Sequence, residues 1–142
     1  MKRTALSVFL VLIISVIAAD AGNLKWPTDM AAAIEQAGKE NKSLFILFGR
    51  PTCGNCSALK SIIARHEVRL SPSAFVVADI NGDTPEQSKA FHERYKITGN
   101  TFPFVVIARA DGTQVASRTG YGSAAEFNNF ITKARRDISK PQ

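Results

Sequence analysis

The stretch at residues 44–63, "LFILFGRPTCGNCSALKSII", contains the only two cysteines of the 142-residue chain and decides the fold. Its first part belongs to the run "SLFILFG" at 43–49, which is continuously apolar over the length of a strand. Such a run is typical of a strand covered on both faces. From Asn55 onward the apolar residues have the spacing of an amphipathic helix. Cys53 and Cys56 are therefore predicted to lie between a buried strand and a helix, with Cys56 in the first helical turn.

The segments around this stretch predict alternating helices and strands. Thr28 is a candidate cap for a first helix, with Ala31, Ile34 and Ala37 or Gly38 on its packed face. A second apolar strand is predicted at 74–80. The later segments predict a helix that begins at Pro85, a hairpin that turns at Asp111-Gly112, and a last helix within 123–138.

This order of elements predicts an α/β fold in one domain. Strand-helix-strand units favour a parallel pair of strands, and the hairpin adds antiparallel strands beside it. We therefore expect a central mixed sheet of four to five strands with helices on both faces. A hydrophobic content of 45% with 21% charged residues agrees with a packed globular domain.

The first 21 residues have the pattern of a secretory signal peptide. Lys2 and Arg3 precede an apolar stretch from Ala5 to Ala19, and Ala19-Asp20-Ala21 fits a cleavage site of small residues. The stretch falls short of the roughly 20 residues that cross a bilayer, although an uncleaved anchor stays an alternative. We predict a signal peptide at 1–21, a domain at 22–142, and a periplasmic or secreted location.

The charge pattern argues against a nucleic-acid partner. The net charge is +6, but the lysines and arginines are scattered and no aromatic residues alternate with them. We interpret this charge as a solvated surface.

The cysteine pair has the spacing of a redox dithiol. Cys53 would lie beside unpaired backbone N–H groups at the positive end of a helix, which favours its thiolate. This thiolate can attack a substrate disulfide, and Cys56 can then resolve the mixed disulfide. The same steps in reverse would oxidise a substrate.

Two other interpretations of the pair stay open. A permanent disulfide is plausible in an exported protein, although closing so small a loop constrains the unfolded chain little. A closed zinc site needs four ligands, and we predict a half-buried packing position for His66 and a surface position for His92. No metal site is therefore predicted, but two thiolates could bind Cu(I) in a carrier.

Several motifs in register resemble the thioredoxin-like superfamily from about Leu24 to Ile131. The similarity is greatest to secreted bacterial thioredoxin-like proteins. The matching features are the apolar strand leading into Cys53-Gly54-Asn55-Cys56, the strand ending at Asp79, "TFPF" at 101–104, the Asp111-Gly112 hairpin and Gly120.

This resemblance implies a substrate platform opposite the cysteines. Pro103 would be the cis-proline of the superfamily, and the backbone of Phe102 would pair with an extended substrate as an added strand. We further expect a monomer that acts on disulfide-containing proteins and needs no cofactor beyond its own disulfide. A reducing couple outside the cytosol would require electrons from a membrane donor.

Three positions depart from the superfamily pattern and bear on reactivity. Thr52 replaces the usual tryptophan, and Leu47 replaces a buried acid that is the candidate proton acceptor for the second cysteine. Asn55 carries no charge to stabilise the Cys53 thiolate, whereas Arg50 would do so if it turned toward the sulfur.

We therefore predict an exported thiol-disulfide oxidoreductase of envelope proteins, with the reducing direction favoured. The alternative is a non-catalytic binding module or a Cu(I) carrier that uses the same cysteine pair.

Overall fold

A mixed sheet of four strands forms the centre of the structure, a computed structural model that describes residues 26–140. Helices and strands follow one another there in the predicted order. Their bounds are α1 (Met30–Glu40), β1 (Ser43–Gly49), α2 (Gly54–Ala64), β2 (Phe75–Asn81), α3 (Pro85–Arg94), β3 (Phe104–Ala108), β4 (Gln114–Thr119) and α4 (Ala124–Ile138).

The strand order in the sheet is β2-β1-β3-β4. β1 pairs in parallel with β2, so that Ser43 lies opposite Phe75 and Gly49 opposite Asn81. β3 runs antiparallel to both β1 and β4, as the predicted hairpin requires. The α/β prediction with a mixed sheet is confirmed, and the part of the chain that the structure describes contains four strands.

The two faces of the sheet carry separate hydrophobic cores. Because successive side chains of a strand point to opposite faces, β1 contributes Leu44, Ile46 and Phe48 to one core and Phe45 and Leu47 to the other. Helices α1 and α3 cover the first core, and α2 and α4 cover the second. The prediction of helices on both faces is therefore also confirmed.

The predicted start of the first helix is wrong, and its predicted packed face is right only in part, since Ala31 is exposed. The cap is Asp29, whose carboxylate accepts a hydrogen bond of 2.8 Å from the Ala32 N–H. Gln87 of α3 donates a second hydrogen bond of 2.6 Å to the same carboxylate. This contact with a distant helix fixes the start of α1, and the buried face consists of Met30, Ala33 and Ala37.

His66 is exposed, so its predicted packing role is also wrong. It follows the end of α2 with a φ of 60°, a left-handed conformation that turns the chain away from the helix. His92 is exposed on α3, as predicted.

The predicted signal peptide at 1–21 lies outside the described residues. Within 26–140, none of the helices combines the length and apolar character that a bilayer crossing requires.

Candidate active site

A strand, a short turn and a helix position the two cysteines. β1 ends at Gly49, and the Cys53 N–H then donates a hydrogen bond of 3.1 Å to the Arg50 carbonyl. α2 begins at Gly54, so Cys53 is its N-cap and Cys56 lies in its first turn, as predicted. The two sulfurs form a disulfide, with the Cα atoms 5.2 Å apart.

Cys53 is the accessible member of the pair. It is partly exposed, whereas Cys56 is 1% exposed. The Cys53 sulfur accepts a hydrogen bond of 3.1 Å from the Cys56 N–H, and the first turn of α2 contains no acidic residue. In the reduced protein the N–H and the helix dipole would favour the thiolate form of the same sulfur. The geometry therefore favours Cys53 as the attacking group.

The absence of a side chain at Gly49 allows Cys56 to approach the sheet. A Cβ atom at this position would lie 2.5 Å from the Cys56 sulfur, closer than the two atoms can approach. The Gly49 carbonyl also accepts a hydrogen bond of 2.7 Å from the Gly82 N–H, which ties the end of β1 to the loop after β2. The last residue of β1 thus sets the depth at which the second sulfur lies.

The segment before β3 lies at the same end of the sheet. Phe104 pairs with Phe48, which immediately precedes Gly49. The Phe102-Pro103 peptide bond is cis, as predicted. The Gly120 N–H donates to the carbonyls of Thr101 and Pro103, at 2.9 Å each, and so holds this segment in place.

Phe102 lies at the same end of the sheet as the cysteines. Its partly buried ring stacks on Phe104 at a centroid distance of 4.7 Å, and both Phe102 and Cys53 pack against the core under α2. Among residues 26–140, the backbone hydrogen bonds outside the helices and strands include none from Phe102. Its N–H and carbonyl can therefore pair with an added strand, and the platform role stays a prediction.

The two residues predicted to modulate the thiolate have different surroundings. The Arg50 guanidinium lies 5.0 Å above the centre of the Phe102 ring and forms an ion pair of 3.0 Å with Asp83. Its charge is thus partly neutralised by a carboxylate. Asn55 is exposed in the first turn of α2. Their effects on Cys53 stay predictions.

An ion pair near Cys56 is absent from the sequence prediction. Lys60 of α2 donates a hydrogen bond of 3.0 Å to the Asp79 carboxylate on β2. Both residues line a cleft of about 170 Å³ that also reaches Cys56. Two signals pointed to it: Lys60 follows Cys56 by one helical turn, and Asp79 is the one charged residue in the otherwise apolar run at 74–80.

The residues 26–140 contain no group of three or more histidine, cysteine or acidic side chains placed to hold a metal ion. The cysteine pair is thus the chemically reactive centre that the described fold brings together.

Comparison with known proteins identifies the family. A family model described as a thioredoxin-like domain matches residues 30–135. The chain belongs to the thioredoxin-like domain family. A CxxC pair in a domain of this family supports a thiol-disulfide redox function in general.

A solved structure shows the same fold. A mutant thioredoxin from Halobacterium salinarum NRC-1, which carries a single substitution, superposes with a TM-score of 0.58 and 19% sequence identity. The match covers 77% of this chain and 88% of that chain. A sequence search of curated proteins gave no significant match. The predicted thioredoxin-like fold is therefore confirmed.

Proposed function

We propose that this protein is an exported thiol-disulfide oxidoreductase that reduces or exchanges disulfides in envelope proteins. The observation that carries the proposal is the disulfide at the start of α2, with Cys53 partly exposed and Cys56 buried behind it. The unpaired main chain of Phe102, at the same end of the sheet, supports an extended polypeptide as the substrate.

The electrons pass only through the two cysteine sulfurs. In the reduced protein, the Cys53 thiolate attacks a substrate disulfide, which forms a mixed disulfide and releases one substrate thiolate. Cys56 then attacks the Cys53 sulfur, which breaks the mixed disulfide and releases the second substrate thiolate. The protein loses two electrons to the substrate and ends with the Cys53–Cys56 disulfide. No further cofactor is required, and the monomer is the proposed active form.

The charges around Cys53 support the reducing direction. Asn55 is neutral, and Arg50 is paired with Asp83, so neither gives the thiolate the unshared positive charge that marks a strong oxidant. A reductase outside the cytosol needs a supply of electrons, and a membrane donor would provide it. The signal sequence at 1–21 supports a periplasmic or secreted location.

Insulin reduction in the presence of dithiothreitol tests the proposed activity. The wild-type protein should accelerate the reaction, and both Cys53→Ser and Cys56→Ser should abolish the acceleration. Without dithiothreitol, reduced Cys56→Ser should accumulate a mixed disulfide with the substrate, which Cys53→Ser cannot form. Activity that survives Cys53→Ser would refute the mechanism.

Equilibration with glutathione buffers then gives the direction. A reductase should have a potential close to about −270 mV, whereas a strong oxidant lies near about −120 mV.

The two alternatives predict other outcomes of the same experiments. A binding module would retain its peptide partner in the Cys53→Ser variant and would not reduce insulin. A Cu(I) carrier would bind one Cu(I) ion per chain and lose it when either cysteine is replaced, because both thiolates are ligands.

A further inference from the structure

A cleft of about 170 Å³ opens beside the buried cysteine. This volume is large enough for water, since one water molecule needs at least about 10–15 Å³. Its lining residues come from β2, from α2, and from the segments before α1 and after β1. They are Thr28, Arg50, Pro51, Cys56, Lys60, Asp79 and Asn81.

Three charged groups line this cleft, and one of them is a carboxylate. Arg50 is engaged by Asp83 and by the Phe102 ring. Lys60 is paired with Asp79 at 3.0 Å, and the side chains of this pair are 35% and 30% exposed. The other lining residues are neutral. Among the described residues that line this cleft, Asp79 is therefore the group that can accept a proton from Cys56.

The sheet register directs Asp79 toward the cysteine side. Asp79 pairs with Leu47 across the parallel strands, and paired residues point to the same face. Leu47 belongs to the core under α2, which also contains Cys56. Lys60 lies one turn after Cys56 on α2, so the helix and β2 bring the cysteine, the lysine and the carboxylate to one cleft.

The second step of the proposed reaction needs a proton acceptor in this place. Cys56 must become a thiolate before it can attack, and apolar surroundings disfavour that charge. Leu47 and the other neighbours of Cys56 in the core are apolar and cannot take a proton. The cleft is therefore the route by which the Cys56 proton can leave.

We propose that Asp79 accepts the Cys56 proton, through water that enters this cleft, during resolution of the mixed disulfide. This inference rests on the proposed function. The S–H proton passes to the Asp79 carboxylate, and the Cys56 thiolate forms a bond to the Cys53 sulfur. The bond between Cys53 and the substrate sulfur breaks, and the departing substrate thiolate takes a proton from solvent. Asp79 then returns its proton to solvent, so that charges and electrons balance.

A stopped-flow reaction of the reduced protein with 5,5′-dithiobis(2-nitrobenzoate) separates the two steps. Attack by Cys53 releases the first thionitrobenzoate, and attack by Cys56 on the mixed disulfide releases the second. Asp79→Asn should leave the first phase unchanged and slow the second by about 10- to 100-fold at neutral pH, the lower range for positioned proton transfer. The difference should shrink as the pH rises, because hydroxide then replaces the carboxylate as acceptor.

Two controls distinguish proton transfer from a structural role of the ion pair. Lys60→Gln keeps the carboxylate and should retain the second-phase rate within about threefold, since a partly exposed pair contributes little to stability. Glu67→Gln breaks the exposed Arg65–Glu67 pair of 2.7 Å beyond the opposite end of α2 and should change neither phase.

If Asp79→Asn does not fold because Lys60 is left unpaired, the double variant Lys60→Gln/Asp79→Asn replaces it. The double variant should show the same slow second phase.

Each outcome has a separate meaning. A wild-type protein without the first phase would refute the proposed function itself. A normal first phase, with a second phase that is unchanged in Asp79→Asn or equally slow in Lys60→Gln, would overturn the role of Asp79 alone.

Discussion

Helices α2 and α4 begin with the same hydrogen bond, made by different atoms. At α4 the Ser123 hydroxyl accepts a hydrogen bond of 3.2 Å from the Glu126 N–H, three residues later. At α2 the Cys53 sulfur accepts one of 3.1 Å from the Cys56 N–H, also three residues later. Ser123 and Cys53 are both N-caps with extended backbone conformations.

The second contact of each cap differs. The Glu126 carboxylate returns to the Ser123 N–H at 2.7 Å and completes a capping box. At α2 the second contact is instead covalent, because the Cys56 sulfur is bonded to the Cys53 sulfur. Oxygen and carboxylate stabilise the helix start, whereas the sulfur pair occupies the same positions and can exchange electrons. The comparison shows that the geometry of a stabilising N-cap becomes a reactive site when two cysteines stand in place of the serine and the glutamate.

The largest effect is expected when α2 receives the oxygen cap of α4. Cys53→Ser should abolish disulfide reduction and leave the stability of the reduced protein within about 1 kcal/mol of wild type, because serine is a good N-cap. Insulin turnover and urea unfolding of both reduced proteins measure the two effects. A large loss of stability would show that the sulfur has a structural role that oxygen cannot replace.

The approach of α2 to the sheet can be obstructed at the end of β1. Gly49→Ala places a Cβ 2.5 Å from the Cys56 sulfur and should destabilise the fold by about 1–3 kcal/mol, as overpacking does. Gly54→Ala is the matched control, because its Cβ meets nothing within 4 Å. It should be neutral or stabilising by up to about 1 kcal/mol. Equal effects of both variants in denaturant unfolding would contradict the close contact at Gly49.

The structural cap of α4 should have a moderate effect. Ser123→Ala removes the hydroxyl acceptor and should cost about 1 kcal/mol in urea unfolding, with little change in insulin turnover. Ser57→Ala, an exposed position within α2 whose side chain makes no cap, serves as the control.

This cap should also depend on pH. Hydrogen bonds from the Ser123 N–H, and then from its hydroxyl, lower the pKa of Glu126 below its ordinary value of 4.5. The contribution of the carboxylate is therefore fully present above pH 4.5 and is lost as the pH falls through the lowered value. The difference in stability between wild type and Glu126→Gln should accordingly disappear in acid.

The smallest effect is expected from giving α2 the negative charge that α4 has in its first turn. Asn55→Asp should stabilise the helix start by about 0.3–1 kcal/mol and raise the pKa of the Cys53 thiol, because the added charge opposes the thiolate. The pH dependence of iodoacetamide alkylation measures this shift, and Asn55→Gln is the uncharged control. An unchanged or lowered pKa would show that the side chain at 55 does not face the sulfur.

The sequence predicted the elements whose signals are local. The apolar runs at 43–49 and 74–80 are the two parallel strands, and Cys53 lies at the start of α2 as the spacing indicated. The Asp111-Gly112 turn has its glycine at a φ of 84°, which explains why glycine is required there.

The contacts that escaped prediction join residues distant in the chain. Asp29 is preferred over Thr28 as a cap because Gln87 donates to it from another helix. The Lys60–Asp79 pair depends on the parallel register of two strands and the position of a helix. Periodicity along one segment does not show which residues of separate segments pair, so the Lys60–Asp79 contact was found only in the structure.

Arg50 links three loops at the edge of the site. It belongs to the turn after β1, pairs with Asp83 after β2 and covers Phe102 before β3. Its side chain and that of Asp83 are 52% and 48% exposed, so dissolved salt screens their attraction. We expect the rim of the site to loosen as ionic strength rises while the covalent bond beneath it is unaffected. The salinity of the surrounding medium would then set how firmly this rim is held.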